Sequence, residues 1–422
     1  MKALAIEGGK PLSGTVEICG AKNAVLPLLA ATVLHGGVYR LHHCPDITDV
    51  ALACRILELL GGQVTRSGHT LTVDTRRLNG WAIPDALMCR MRASVLFLGP
   101  LLARFGRAAI SMPGGCPLGR RPIDLHLEAL AQMGASVTLL EGEIRCEASD
   151  LHGCVIDLPF PSVGATENIL MAATACRGTV VLNGAAREPE IGDLIRFLQS
   201  MGGDLRTGDD GVTVVGGAPL QAAEHTVLPD RIETATYLCA VAACGGDLVL
   251  TGTDGNLLQP VLEALVSAGC GVCQHRDIIS LRAAEQLQAV GTIQTMPYPG
   301  FPTDAQALLM AALLRAEGQT QFAEMVFEQR FAHVPQLRRF GAQIRLVGST
   351  ALVRGVSALQ PAQVEACDLR AAAALVIAAL QAPGKSKITG LKHLRRGYDD
   401  LEGKLRRLGA EIQEYDWKSA SM

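Results

Sequence analysis

The sequence predicts an α/β protein of two similar domains, each made of three repeats packed around buried helices. Three observations carry this expectation. An amphipathic helical pattern ending in glycine recurs before a short strand in LELLGGQV, EALAQMGASV, RFLQSMGGDL, EALVSAGCGV, QLRRFGAQI and KLRRLGAEI. Its first glycines are Gly61, Gly134, Gly202, Gly269, Gly341 and Gly409, at intervals of 73, 68, 67, 72 and 68 residues. A second row of Ala/Leu-rich segments runs in phase and ends near Gly37, Gly106, Gly178, Gly245, Gly318 and Gly384. Finally, 422 residues exceed what one compact core accommodates.

Glycine just past the last turn is the expected left-handed helix stop, so the first row marks helix ends. The second row includes AVLPLLAATVL, ENILMAATAC, ETATYLCAVAAC and AAAALVIAAL. These are apolar on nearly every face and belong at the centre, whereas the amphipathic helices lie nearer the surface. Alternating segments such as HTLTVDT, GVTVVGG, DIISLRA and TALVRGV read as strands. The unit is therefore strand–strand–buried helix–strand–outer helix–strand, written six times. Three units per domain put the crossover near Leu228–Pro229. The domains expected are 22–228, and 1–21 together with 229–422, the N-terminal strands packing with the C-terminal half.

Composition removes several function classes. Apolar residues make up 49% and charged residues 19%, with a net charge of −3. Phosphate-backbone binding needs a large basic surface, so a general nucleic-acid partner is not expected. No apolar run is long enough for membrane insertion, and the N-terminus lacks a signal-peptide pattern. Thirteen scattered cysteines, mostly in apolar runs, fit reduced thiols in the cytoplasm rather than a disulfide framework. Cys270 and Cys273 have metal-ligand spacing near His275, but a second pair is missing, and small core residues entering a strand account for them.

Each buried helix is preceded by a short polar segment: GAKNA, MRAS, PSVGATEN, PDRIET, FPTD and DLRA. Helix N-termini offer free N–H groups and partial positive charge to an anion, and the two domains are expected to aim them at one cleft. Lys22, Arg92 and Arg370 would add full charges. Ordinary capping explains any single position equally well: Asp304 as an N-cap, Asp368 as a strand-end turn, Arg231 as a solvated charge. Cations at several helix starts are harder to explain that way, because they are disfavoured there without an anion.

A second row of loops holds CPDITD, PGGCPLGRRPID, AAREPEIGD, MVFEQRFAH and HLRRGYDD. Cys116 sits in the longest Gly/Pro-rich member, beside Arg120 and Arg121. Guanidinium groups lower a thiol pKa and favour the reactive thiolate, and Gly114–Gly115 would let the loop close and reopen.

Taken in order from residue 20 to residue 412, GAKNA, MRAS, PGGCxxGxRPIDLH, SVGATEN, AAREPEI, LPDRIET, FPTD, ExVFExRFxHVPxL, DLRA and RGYDDLExKLRxLGA resemble the UDP-N-acetylglucosamine 1-carboxyvinyltransferases, enolpyruvyl transferases related to EPSP synthase. The resemblance implies an inside-out α/β barrel in each domain, three βαβαββ-type units around buried parallel helices, with the active site in the cleft between domains. It implies transfer of the enolpyruvyl group from phosphoenolpyruvate to the 3-hydroxyl of UDP-N-acetylglucosamine, the first committed step of bacterial peptidoglycan synthesis. No metal or organic cofactor is implied.

On matching positions, Lys22 would bind phosphoenolpyruvate with Asn23 beside it. Cys116 would donate a proton and take covalent fosfomycin. Arg121 would contact phosphate and uracil, Pro122, Ile123, Asp124 and Leu125 would continue the nucleotide site, and Ser162, Val163 and Gly164 would face the diphosphate. Asp304 would face the sugar hydroxyl and Val326 the sugar. Arg92, Arg330, Asp368, Arg370 and Arg396 would supply the charged, anion-binding set. The chemistry needs the same parts: a proton donor for the methylene carbon, a carboxylate oriented to the hydroxyl, and cations for carboxylate and phosphate.

Arg395 departs from the family, which commonly has an acidic residue there, and Gln329 replaces the commoner Asn. A specialised or catalytically silent UDP-sugar-binding paralogue stays open on that account. 3-Phosphoshikimate 1-carboxyvinyltransferase shares the architecture, but the PGGC thiol and SVGATEN segment disfavour it.

Overall fold

The computed structural model describes residues 2–112, 123–140 and 142–416. The third repeat shows the building block in full. Strand Val155–Asp157 leads to helix Val163–Ala173, strand Thr179–Asn183, helix Pro189–Ser200, and the strands Asp204–Thr207 and Gly211–Val215. The first two strands pair parallel across their helix, and the last two form an antiparallel hairpin. In sheet order the first strand is followed by the second, fourth and third, and all six four-stranded sheets repeat that order. Among the described residues the strands thus form six separate sheets rather than one closed β-barrel.

The described residues fall into two compact units, 2–19 with 229–416, and 20–112 with 123–140 and 142–228. Distant segments complete three of the sheets. Lys2–Gly8 lies antiparallel between Gly384–Thr389 and Glu411–Asp416. Gly14–Glu17 runs parallel to Asp247–Thr251, and Glu224–Thr226 parallel to Val38–His42. A strand edge exposes unpaired N–H and C=O groups; Lys2–Gly8 is paired on both sides, whereas Gly14–Glu17 and Glu224–Thr226 each cover an inner strand and form the outer edge of their sheets.

In the unit holding the C-terminal half, helix Thr303–Ala312 packs against Arg231–Cys244 and Leu369–Gln381. Each of these helices is buried along nearly its whole length. An all-round apolar helix has no face for water, and each fully buried Leu or Ile contributes about 1.5–3 kcal/mol. In the other unit the buried helix of the second repeat, Leu98–Phe105, is preceded by a 3-10 turn, Arg92–Phe97. There Gly99 donates its N–H to Asn168 Oδ1 at 2.8 Å, and a Cβ on Gly99 would stand 2.5 Å from the Asn168 carbonyl oxygen. The six glycines of the first row have φ between 86° and 101°. The outer helix of the fifth repeat is only Val334–Arg338, shorter than the other outer helices. Among the described residues no helix is long and apolar enough to cross a membrane.

Candidate active site

Three helix starts in the C-terminal unit handle their free N–H groups differently. Asp230 Oδ1 accepts from the N–H of Ile232 and Glu233 at 2.8 and 2.9 Å. Asp368 Oδ1 accepts from Arg370 and Ala371 N–H at the same distances. Asp368, expected among the anion-binding set, is thus observed as a helix cap, a use its carboxylate serves without any ligand. Asp304 is not a cap. Pro302 holds the cap position and Asp304 lies one residue inside the helix.

The Asp304 carboxylate is instead gripped by two arginines. Arg330 Nη2 donates to Oδ1 at 2.6 Å and Arg370 Nη2 to Oδ2 at 2.8 Å. The side chain of Asp304 is 28% exposed, whereas those of Arg330 and Arg370 are 3% and 5% exposed. Arg330 also donates from Nε and Nη2 to the Thr303 carbonyl at 3.1 and 2.9 Å. Arg370 reaches Tyr398 Oη at 3.4 Å, which in turn meets Thr236 Oγ1 at 2.9 Å. Burial works against the Arg370 charge, but Asp304, Tyr398 and Asp230 hold its pKa above the usual arginine range. Two guanidinium groups thus fix the orientation of a partly accessible carboxylate, which suits it to accept a hydrogen bond from a substrate hydroxyl.

The sequence reading missed Glu324. This buried carboxylate directly follows strand Gln319–Ala323 and accepts the Thr303 hydroxyl at both oxygens, 3.1 and 3.0 Å away. Its Oε1 also accepts the N–H of Val326 and Phe327 at 2.9 and 3.1 Å. Val326 is half-buried. An acidic residue directly after a strand and before a loop was the available signal.

In the other unit Lys22 opens helix Lys22–Ala31 and pairs with Asp49 at 2.8 Å, both side chains largely buried. A carboxylate of the protein therefore balances this helix-start cation, which sequence spacing alone did not disclose. Asn23 next to it is exposed, and Arg92 is half-buried at the start of its 3-10 turn. Ser162 caps helix Val163–Ala173 through Oγ, accepting from Ala165 N–H at 3.4 Å, with Val163 and Gly164 half-buried at the first turn. Ile123 is buried, Leu125 half-buried and Asp124 exposed. Cys116, Arg120, Arg121 and Pro122 lie outside the described residues.

Two buried ionisable groups support this helix start. Asn168 Nδ2 approaches His126 Nδ1 at 2.8 Å while also donating to the Val95 carbonyl at 3.0 Å. Burial, then Arg92, pushes the His126 pKa down to about 4. The ring is neutral, accepts at Nδ1 and carries its proton on Nε2. Glu167, buried in the helix, is pushed well above the carboxylate range by burial and then by Glu190 and Glu188. Arg396 is half-buried in a 3-10 turn. Arg395 beside it donates to Glu402 at 2.8 Å and pairs with Glu414, so the departure at this position has its own carboxylate partners.

These features fall within a sequence that matches the EPSP synthase family (3-phosphoshikimate 1-carboxyvinyltransferase) over residues 6–405. The chain belongs to the EPSP synthase family. Within the family it is 44% identical over 408 residues to UDP-N-acetylglucosamine 1-carboxyvinyltransferase 2 of Caldanaerobacter subterraneus subsp. tengcongensis, covering 96% of this chain and 98% of the relative. It is 45% identical over 415 residues to UDP-N-acetylglucosamine 1-carboxyvinyltransferase of Dichelobacter nodosus, covering 98% and 99%. The enolpyruvyl transferase NikO from Streptomyces tendae superposes with a TM-score of 0.90 at 28% identity, covering 98% of each chain. EPSP synthase from Acinetobacter baumannii gives 0.78 at 18% identity over 99% and 100%, a likeness of fold. The repeated α/β architecture is thus that of the enolpyruvyl transferases.

Proposed function

We propose that this protein transfers the enolpyruvyl group of phosphoenolpyruvate to the 3-hydroxyl of UDP-N-acetylglucosamine, in the bacterial cytoplasm and at the entry to peptidoglycan synthesis. The observation that carries the reading is identity of 44–45% along nearly the whole chain to relatives bearing that activity in their names. The reaction adds the sugar oxygen to C2 of phosphoenolpyruvate as C3 gains a proton. Loss of a C3 proton and departure of phosphate then restore the double bond.

On this reading Asp304 receives the sugar hydroxyl. Both its oxygens accept hydrogen bonds from guanidinium groups. Phosphoenolpyruvate offers a carboxylate and a phosphate that could replace Asp304 on Arg330 and Arg370. Such an exchange would free a carboxylate oxygen for the hydroxyl only when the second substrate is present. Lys22, Asn23, Arg92, Arg121 and Arg396 serve the anionic groups, the 123–125 and 162–164 segments the nucleotide, and Val326 the sugar. Cys116 donates the proton to C3 and is the residue alkylated by fosfomycin.

The test is phosphate release from phosphoenolpyruvate with and without UDP-N-acetylglucosamine, alongside shikimate 3-phosphate. Release that needs the nucleotide sugar supports the assignment. Turnover with shikimate 3-phosphate alone would overturn it. Binding of the nucleotide sugar without any phosphate release would identify a catalytically silent paralogue.

A further inference from the structure

We propose that Glu324 is a positioning residue that ties the sugar-side loop to the start of the Asp304 helix. The proposal rests on the function assigned above. One carboxylate receives three donors from two places: the Thr303 hydroxyl on the helix, and the N–H groups of Val326 and Phe327 on the loop. Thr303 is the first residue of helix Thr303–Ala312, and its carbonyl is the acceptor for Arg330 Nε and Nη2. Arg330 Nη2 also holds Asp304 Oδ1. Main-chain atoms of the loop, the helix start, one anion-binding guanidinium and the reacting carboxylate therefore share one chain of hydrogen bonds. Glu324 is an acidic member of that chain alongside Asp304, and it is 4% exposed.

Glu324 acts through geometry rather than charge. A glutamine can reproduce the set, because its Oε1 accepts both loop N–H groups and its Nε2 donates to Thr303 Oγ1, which reverses its role. Alanine leaves the two loop N–H groups and the hydroxyl without an acceptor, and the loop relaxes. The nucleotide-sugar side then loses its fixed backbone while the guanidinium groups that receive phosphoenolpyruvate remain.

The experiment compares wild type, Glu324→Gln, Glu324→Ala and Thr303→Val by steady-state kinetics in both substrates, with thermal unfolding of each. Wild-type phosphate release that depends on UDP-N-acetylglucosamine must come first, and its absence refutes the assigned function, not this geometry. Glu324→Ala is expected to raise KM for UDP-N-acetylglucosamine about 10-fold, the order of one lost hydrogen bond, with KM for phosphoenolpyruvate within about 2-fold. Glu324→Gln should stay within about 3-fold of wild type in both. Thr303→Val cuts only the link to the helix and should lower kcat about 5-fold at unchanged nucleotide-sugar KM. If Glu324→Ala does not fold, the Gln and Val variants decide. Equal damage in Gln and Ala, a KM change in phosphoenolpyruvate instead of the sugar, or an unaffected Thr303→Val enzyme each overturns the proposal.

Discussion

Replacing Asp304 by alanine removes the carboxylate that pairs with two guanidinium groups whose side chains are 3% and 5% exposed. Breaking a buried ion pair by deleting one partner costs about 3–5 kcal/mol, because the surviving charge stays desolvated. Asp304 itself is 28% exposed, so water already screens part of the interaction and the cost is discounted to about 2–3 kcal/mol. In a unit of this size that lowers Tm by about 5–10 °C. The loss should be repairable. Inorganic phosphate has two freed guanidinium groups to bind in the variant, but in wild type it must compete with Asp304. Scanning calorimetry at zero and millimolar phosphate is the assay. The variant should melt lower without phosphate and gain more from it than wild type does. Turnover should fall at least about 100-fold, far more than nucleotide-sugar affinity, because the carboxylate acts chiefly in the transition state. An unchanged Tm, or an equal phosphate effect in both proteins, would refute the view that the arginines depend on Asp304. Weakened nucleotide-sugar binding at unchanged turnover would reassign Asp304 to ligand positioning.

Three further outcomes are expected. His333 is buried, its Nδ1 lies 3.1 Å from the Arg330 carbonyl, and burial lowers its pKa to about 4. The stability due to the neutral ring is complete above pH 6.5 and is lost as pH falls toward 4, by about 1.4 kcal/mol per unit, so the deficit of His333→Gln should shrink from pH 7 to pH 4.5 in calorimetry. Glu167 has the opposite sign: its raised pKa means stability present below 4.5 and lost as pH rises, so Glu167→Gln should gain on wild type between pH 5 and pH 8. A constant gap in either series would show that the ring or carboxyl is not desolvated as described. Fosfomycin should label the peptide containing Cys116, faster with UDP-N-acetylglucosamine, as read by mass spectrometry. Cys116→Asp should remain active and resist the drug, and an unlabelled Cys116 in an active enzyme contradicts its proposed role.

The sequence by itself determined the repeat, because its signals are local. A helix apolar on every face, a glycine at its end and an alternating strand are each written within about a dozen residues. Copied six times, they report the α/β architecture without knowledge of which segments meet. FPTD and DLRA also marked Asp304 and Arg370 correctly as helix-start residues. They could not reveal that these two side chains pair, or that Arg330 joins them from a different loop. Asp304 and Asp368 look alike in sequence, each an acid at a helix start. The tertiary structure made one a cap and the other a partner of two arginines, since only Asp368 holds the cap position. Asp49 and Glu324 stood inside quoted segments, but nothing in their spacing named Lys22 or Thr303 as the partner. Their roles arise where separate loops converge, and charge balance and hydrogen-bond satisfaction are settled by what lies within about 3 Å in space, not by spacing along the chain.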